Sequence, residues 1–227
     1  MRMKLWNAKI LGRSVYDTPK HHNPPKHIMI RSREDYRRYL EADRISLGVA
    51  NTLRTRLFDD IWKYQRLMRK LAFLTNCGGN RLLRRWVAHR YESMGKRLGF
   101  TIGANVFGPG LSIAHRGTIV VHNNSRIGAN CRLHVCVNIG AQLGQDAAVP
   151  CIGDNCYIAP GAKLFGDIAL GDNIVVGANA VVNKSFPEGN VTLGGVPARI
   201  LSSKSSDGRI PMGYLEHEVT ASAIGNN

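Results

Sequence analysis

A six-residue repeat fills most of the second half of the chain and constrains the fold more than any other feature. Residues 121–144 and 152–187 divide into ten successive hexads, each of which opens with an aliphatic residue. Six residues with one large and one small inward position fit a short flat strand followed by a tight corner. Three such sides make one triangular coil, and stacked coils make a parallel β-helix. The fifth positions, expected to point inward, are Ser125, Cys131, Val137, Leu143, Cys156, Ala162, Ile168, Ile174, Ala180 and Phe186.

Two irregularities interrupt the repeat. The hexad IGANVF, residues 102–107, is expected to be an outlying side, because the irregular segment 108–120 separates it from the others. An insertion at 145–151 divides the two blocks. Cys131 and Cys156 occupy small inward positions, where a thiol acts as a compact apolar filler, so we expect both in the core.

The segment before the repeat has the periodicity of helices. Ser32 followed by Asp35 resembles a capping box and predicts a helix over 33–46. Apolar residues at helical spacing from Phe58 to Ala72 predict a second helix, which the stretch 77–80 ends. A third helix is predicted over about 81–98. The large side chains expected to be buried anchors between these helices are Trp62, Met68, Trp86 and Met94.

Charge is concentrated in the first half of the chain. The chain has 31 Lys and Arg against 16 Asp and Glu, a net charge of +15, and residues 1–100 carry 23 basic and 8 acidic residues. This excess indicates an anionic partner such as a phosphate-bearing ligand, a membrane surface or nucleic acid. Nucleic acid is the least expected of these, because the basic residues alternate with apolar ones and no recognised binding motif is present. The expected organisation is an irregular basic arm (1–31), a helical domain (32–99), a β-helix (100–201) and a tail (202–227).

The cysteines and the apolar runs indicate a cytoplasmic protein. Five cysteines are an odd number and form no CxxC pair, which favours a reducing compartment. The start of the chain has no apolar stretch typical of a signal peptide, and no run of 18 apolar residues occurs.

Two further motifs support a family resemblance. The repeat over about 100–201, with GLSIAHRGTIVV (110–121) and GGVPARI (194–200), resembles the hexapeptide acyltransferases. It is most similar to the serine O-acetyltransferases and to the colanic-acid type of capsule and exopolysaccharide O-acetyltransferases. The resemblance implies a left-handed β-helix, acetyl-CoA as co-substrate, and a homotrimer with its active sites between subunits.

The resemblance points to His115 as the catalytic residue. Acyl transfer from a thioester to a hydroxyl needs a base for the hydroxyl proton, and His115 matches the active-site histidine of the family. It lies in a break of the repeat between Gly110 and Gly117, so we expect it to project from an irregular corner. The residues expected to contact the acceptor are His134, Arg116 and Val149.

Other matched positions are expected to hold the donor. In the family, coil corners hold the pantetheine arm through backbone groups, and basic residues near the last coil meet the phosphates. Pro160 has no N–H, so a hydrogen bond to a ligand there must use its carbonyl. By match, the corners are Ala141, Pro160, Gly161 and Ala178, and the phosphate contacts are Lys184 and Arg199.

The acceptor is expected to be a sugar hydroxyl, because this chain departs from serine O-acetyltransferases at three places. Ala114 stands where that family has Asp before the catalytic histidine, and Val149 stands where it has a second histidine before a proline. The position of its dyad carboxylate falls at or near Phe100. Charged ends of an amino acid left unpaired in a desolvated pocket would be costly, so free serine is disfavoured. Serine O-acetyltransferase remains the alternative, as does a non-catalytic β-helix that binds polyanions.

A zinc site is a further possibility for the histidines. Some hexapeptide β-helices are zinc hydratases whose ligands come from a trimer interface. His115, His122 and His134 are spaced 7 and 12 residues apart and lack the close HxxxxH pair of those enzymes. We therefore expect no metal, and surface or interface positions remain the alternative for His122 and His134.

Overall fold

The structure, a computed structural model, describes residues 29–215 and begins with four helices. These are α1 (Arg33–Leu47), α2 (Leu53–Phe58), α3 (Asp60–Asn76) and α4 (Arg81–Leu98). The helices predicted over 33–46 and 81–98 are confirmed. The second predicted helix corresponds to α3, which ends at Asn76, directly before the predicted break, but begins at Asp60 rather than at Phe58. The sequence does not predict the short α2. Most of the predicted basic arm and the end of the predicted tail lie outside the described residues.

Side-chain caps explain where the helices begin. The Ser32 hydroxyl accepts the N–H of Asp35 at 2.9 Å, and the Asp59 carboxylate accepts the N–H of Trp62 at 2.8 Å. Asn80 caps α4 in the same way through its side-chain oxygen. Each contact satisfies an N–H group that has no partner inside its helix.

Fourteen short strands follow within the described part of the chain. They are β1 (Phe100–Thr101), β2 (Ser112–Ile113), β3 (Ile119–Val121), β4 (Arg126–Ile127), β5 (Arg132–Leu133), β6 (Asn138–Gly140), β7 (Cys151–Ile152), β8 (Tyr157–Ile158), β9 (Lys163–Phe165), β10 (Ala169–Leu170), β11 (Val175–Val176), β12 (Val181–Val182), β13 (Thr192–Gly194) and β14 (Arg199–Ser202).

Successive strands enter three sheets in rotation. Strands β2, β5, β8 and β11 pair in parallel in one sheet, β3, β6, β9 and β12 in a second, and β4, β7 and β10 in a third. Each of these strands therefore pairs with the strand three places along the chain, so three strands make one turn, as the hexads predict. Strand β1 joins the second sheet beside β3. Strand β13 continues the first sheet, and β14 pairs antiparallel to it and ends the stack. The predicted outlying hexad joins this stack, because Phe107 bridges Ile127 in parallel.

The inward positions follow the repeat with one exception. All ten residues that open the hexads are buried, and the fifth-position residues except Leu143 are buried or pack against the core. Cys131 and Cys156 are confirmed as core residues. Leu143 was expected to point inward and is 99% exposed, because residues 142–148 leave the coil and close on themselves as a loop.

Asparagines at one corner connect successive coils. Asn130, Asn155, Asn173 and Asn190 all have positive φ, which asparagine tolerates better than most residues. Their side-chain amides form a continuous ladder with N···O distances of 2.9–3.0 Å. The ladder satisfies these polar groups where the backbone turns.

The helices and the coils share one hydrophobic core. Tyr64 and Met68 of α3 and Tyr91 and Leu98 of α4 belong to the same cluster as the inward residues of the coils. Trp62 is also buried, as predicted, and Met94 is partly buried. The prediction that Trp86 is a buried anchor is wrong, because its side chain is 57% exposed.

Candidate functional site

His115 lies where the chain leaves β2, in a bend between two coils. Its side chain is exposed, and the bend continues through Gly117. Gly110 and Gly117 have φ values of 81° and 138°, a region that strongly favours glycine. The predicted projection of His115 from an irregular corner is confirmed.

Buried polar contacts fix the segment that leads to this bend. The Asp43 carboxylate of α1 accepts the N–H groups of Gly110 and Leu111, both at 2.9 Å. The same carboxylate receives two hydrogen bonds from Arg69 of α3, and both side chains are almost completely buried. The Gln65 amide donates to the Leu111 carbonyl at 2.8 Å.

Arg69 also donates to the backbone on the other side of this segment. Its guanidinium contacts the carbonyls of Phe107 and Gly108 at 2.7 and 2.6 Å. Two helices therefore hold residues 107–111 from both their N–H and carbonyl sides. This arrangement gives the backbone before His115 a defined position.

His134 and Tyr157 extend the site along the next two coils. The His134 ring lies 5.8 Å from the His115 ring and 5.0 Å from the Tyr157 ring, measured between centroids. The His134 Nε2 atom is buried and has no hydrogen-bond partner among residues 29–215. Burial, with smaller contributions from the charges of Arg132 and His115, lowers the pKa of His134 below its ordinary value of 6.5. A neutral imidazole is therefore favoured beside His115.

Asp60 is a site residue that sequence reasoning missed. Its carboxylate at the start of α3 contacts Arg116 at 3.3 Å, next to His115 in the chain. Asp60 also binds Lys63 at 3.1 Å and Arg97 at 2.9 Å. The Lys63 hydrogen bond, together with the charges of Arg97 and Arg116, holds the pKa of Asp60 below its ordinary value despite desolvation. In the sequence, Asp60 indicated only an acidic first turn of a helix.

One carboxylate and three cations leave this edge of the site positively charged. Arg116 and Arg97 are both exposed, so their charges remain available to a ligand. An exposed guanidinium is a natural contact for a carboxylate or phosphate. The edge beside His115 can therefore attract an anionic group.

The three positions at which the sequence departs from serine O-acetyltransferases, Phe100, Ala114 and Val149, carry apolar side chains. Phe100 is buried in the core, where it packs edge-on against Tyr64. Val149, predicted to contact the acceptor, is also buried and has little surface to offer a substrate. Ala114 provides no polar side chain next to His115.

The backbone at the predicted donor corners already connects the coils. The Pro160 carbonyl accepts the Asn179 N–H at 3.0 Å, and the Gly161 N–H donates to the Val135 carbonyl at 2.9 Å. Gly161 has a φ of 77°, and a Cβ there would lie 2.0 Å from the Asn179 Oδ1 atom. The Gly161 N–H is thus not free for a ligand, whereas the Pro160 carbonyl keeps a second lone pair. Ala141 is half-buried and Ala178 is exposed.

The two predicted phosphate contacts lie near the end of the stack. Lys184 and Arg199 are both exposed. The Lys184 ammonium lies 5.4 Å from the centre of the Phe186 ring, and Arg199 begins β14. Both cations can therefore reach an anionic ligand from the surface.

The histidines weighed as zinc ligands do not form a cluster. His122 uses Nδ1 to accept the N–H of Asn124 at 3.2 Å, as a turn-stabilising residue would. Between residues 29 and 215, no group of three or more His, Cys, Asp or Glu side chains is placed to hold a metal ion. In the same part of the chain, no helix is long and apolar enough to cross a membrane.

Comparisons with known proteins point to one group of enzymes. No family model matches the chain. Over 109 residues the chain is 38% identical to a serine acetyltransferase of Staphylococcus xylosus. The matched region covers 47% of this chain and 48% of that protein. The chain thus spans about half the length of the curated relatives it matches.

Solved structures share the fold over a larger part of the chain. The soybean serine acetyltransferase apoenzyme superposes with a TM-score of 0.61 and 26% identity, covering 74% of this chain and 69% of that one. A serine acetyltransferase of Brucella abortus in complex with coenzyme A superposes with a TM-score of 0.59 and 23% identity, covering 76% and 68%. The helices and the three parallel sheets are therefore similar in arrangement to those of serine acetyltransferases.

Proposed function

We propose that this chain is an acetyl-CoA-dependent O-acetyltransferase with a left-handed β-helix. The observation that carries the proposal is the placement of His115. It is an exposed imidazole that follows a backbone segment held by buried groups, in a chain about half of which is similar in sequence to serine acetyltransferases. An exposed base on a fixed backbone suits proton transfer, because the reacting groups must be held in position.

The proposed reaction is a direct transfer. His115 takes the proton of the acceptor hydroxyl while the hydroxyl oxygen attacks the thioester carbonyl carbon. The tetrahedral intermediate then breaks its carbon–sulfur bond, and the leaving thiolate receives the proton from His115. The products are the O-acetyl ester and free coenzyme A, and the step requires no metal.

L-Serine is the acceptor that the comparisons favour. The relatives and neighbours of this chain are named serine acetyltransferases. The exposed Arg116 and Arg97 beside His115 would pair with the carboxylate of serine, and Asp60 with its ammonium group. These charged groups weaken the argument for a sugar, which rests on the departures at Ala114, Val149 and Phe100 and on the resulting lack of groups to pair with the charged ends of serine.

A sugar hydroxyl is the second candidate acceptor. Ala114 and the buried Val149 supply neither the Asp nor the His that serine O-acetyltransferases carry at those positions. A pocket with fewer charged groups suits a neutral acceptor. An acetyltransferase for capsule or exopolysaccharide sugars is therefore the alternative within the same chemistry.

The donor is proposed to bind near the last coils. Lys184 and Arg199 would contact its phosphates, and the corners at Ala141, Pro160, Gly161 and Ala178 would line the pantetheine arm. Gly161 would provide close approach rather than a hydrogen bond, since its N–H is already used. A solved neighbour in complex with coenzyme A supports this choice of ligand.

The proposed assembly is a homotrimer in the cytoplasm. A neighbouring subunit would complete the donor groove, and light scattering should give three times the mass of the chain. A fully active monomer would contradict the shared groove. All five cysteines are free thiols, as suits a reducing compartment.

An acceptor assay tests the proposed function. Purified protein is given acetyl-CoA with L-serine or with a panel of free and nucleotide-linked sugars, and thiol release and product mass are measured. O-Acetylserine as the main product supports the primary proposal, whereas an acetylated sugar alone supports the second candidate. No transfer to any acceptor, together with salt-sensitive binding to polyanions, would support the non-catalytic alternative instead.

A further inference from the structure

The outward side of α4 carries apolar residues that nothing in the described chain covers. The inward side of the helix buries Val87, Tyr91 and Leu98 against the core. On the opposite side, Leu82 is 76% exposed, and Trp86 lies one turn further along. We name the residues of this side the α4 outer face: Arg81, Leu82, Arg85, Trp86 and Arg90.

The α4 outer face is strongly basic. Helix α4 holds six basic residues and a single acidic residue, Glu92. Arg81, Arg85 and Arg90 are exposed, and none of them forms an ion pair within the described residues. The Arg90 guanidinium lies 5.7 Å from the centre of the Trp86 ring, so a cation and an aromatic ring are presented together.

The combination of arginines and apolar side chains on the α4 outer face fits some classes of partner better than others. A second copy meeting this face through the same face would oppose arginines to arginines, which is repulsive. A nucleic-acid backbone would neutralise the arginines but offers little to Leu82 and Trp86 when it is double-stranded. An anionic lipid surface matches both parts, because headgroups pair with arginines while leucine and tryptophan enter the interface.

We propose that the α4 outer face binds the protein peripherally to an anionic membrane surface. The helix lies parallel to the surface, its inward side stays packed on the core, and only the outer face contacts lipid. This contact is separate from the proposed acetyl-transfer site, since none of its residues is among those proposed to bind the donor or the acceptor.

Vesicle binding tests the proposal with the full chain. Vesicles of phosphatidylcholine mixed with phosphatidylglycerol are compared with vesicles of phosphatidylcholine alone in a flotation assay. Binding is expected only to the anionic vesicles and should weaken as salt is raised. Tryptophan emission should shift to shorter wavelength on binding, and this shift should be lost in Trp86→Phe, which leaves Trp6 and Trp62 unchanged.

Charge-matched variants make the test specific. The triple variant Arg81→Gln, Arg85→Gln, Arg90→Gln should bind on the order of a hundredfold more weakly, at about fivefold per arginine. The control variant Arg33→Gln, Arg37→Gln, Lys204→Gln removes three exposed charges elsewhere and should bind within about threefold of the wild type. Acetyl transfer to a soluble acceptor should be unchanged in both variants, which shows that they are folded.

Three outcomes would overturn the proposal. The first is equal weakening in the two triple variants, which would indicate attraction by net charge alone. The second is tight binding to duplex DNA through Arg81, Arg85 and Arg90 without vesicle binding. The third is an assembly that dissociates when Trp86 is replaced by Ala, because the face would then be a contact between copies of the chain.

Discussion

The buried Nε2 atom of His134 makes this residue sensitive to pH. Burial lowers the pKa of His134 in the folded chain, whereas the unfolded chain titrates near the ordinary value of 6.5. Between these two pKa values the unfolded state binds more protons, so the free energy of unfolding falls as the pH falls. The neutral side chain thus contributes stability that is present above pH 6.5 and is lost below it.

Replacing His134 by Gln should reduce this loss. The wild type should lose more stability than His134→Gln when the pH is lowered from about 7.5 to about 5.5, because Gln has no proton to gain. Urea unfolding at each pH measures the difference. His89→Gln, which changes an exposed imidazole of α4, serves as the control. Equal pH dependence of stability in the wild type and in His134→Gln would contradict the buried position of Nε2.

Each hexad of the stack defines its own buried positions. Each opening residue is buried, each fifth residue except Leu143 is buried or packs against the core, and the strands of successive coils pair in parallel. Since six residues suffice to define one side, the repeat carries its own burial pattern. The hexad pattern does not predict the burial of Leu143 correctly, because the backbone leaves the coil there.

Two fifth-position residues should respond very differently to substitution. Ile174→Ala leaves a cavity in the coil interior and should cost about 2–5 kcal/mol of unfolding free energy. Leu143→Ala removes an exposed side chain at the loop tip and should change stability by no more than about 0.5 kcal/mol. Urea unfolding at one protein concentration compares them, and a large loss for Leu143→Ala would show that the loop tip is covered in the native assembly.

The sequence predicts elements better than it predicts contacts between them. Helix starts and coil sides depend on neighbouring residues, so Ser32 and the hexads predict them correctly. The sequence does not predict the exposure of Trp86, because α4 has apolar residues around much of its circumference and only packing decides which of them are buried. Asp60 reaches Arg116 across 56 positions of the chain, a distance that local patterns do not encode.

At the scale of the whole molecule, the helices and the coils are joined by the Asp43–Arg69 pair. The pair connects α1 and α3 to residues 107–111, and these residues lead directly to the bend of His115. The helical segment therefore positions the site as well as covering the end of the core. The helices and the coils share one core, and the division of the chain into four segments remains a prediction.

Breaking the pair should destabilise the molecule strongly. Asp43→Ala leaves the Arg69 charge and two backbone N–H groups buried without a partner, at a cost of about 3–5 kcal/mol. The matched control is Glu41→Ala on the same helix, which removes an exposed ion pair with Arg44 and should cost no more than about 1 kcal/mol. Similar losses for the two variants in urea unfolding would show that the Asp43 contacts do not join the two parts.

The turnover of His115→Ala tests the central claim most directly. Steady-state thiol release from acetyl-CoA, with the acceptor that the assay identifies, should fall about 10²–10⁴-fold in turnover number, while the affinity for coenzyme A stays within about threefold. His122→Ala, which removes a histidine of the next coil side, should keep wild-type turnover. Turnover of His115→Ala within about threefold of the wild type would remove His115 from the reaction and contradict the proposed chemistry.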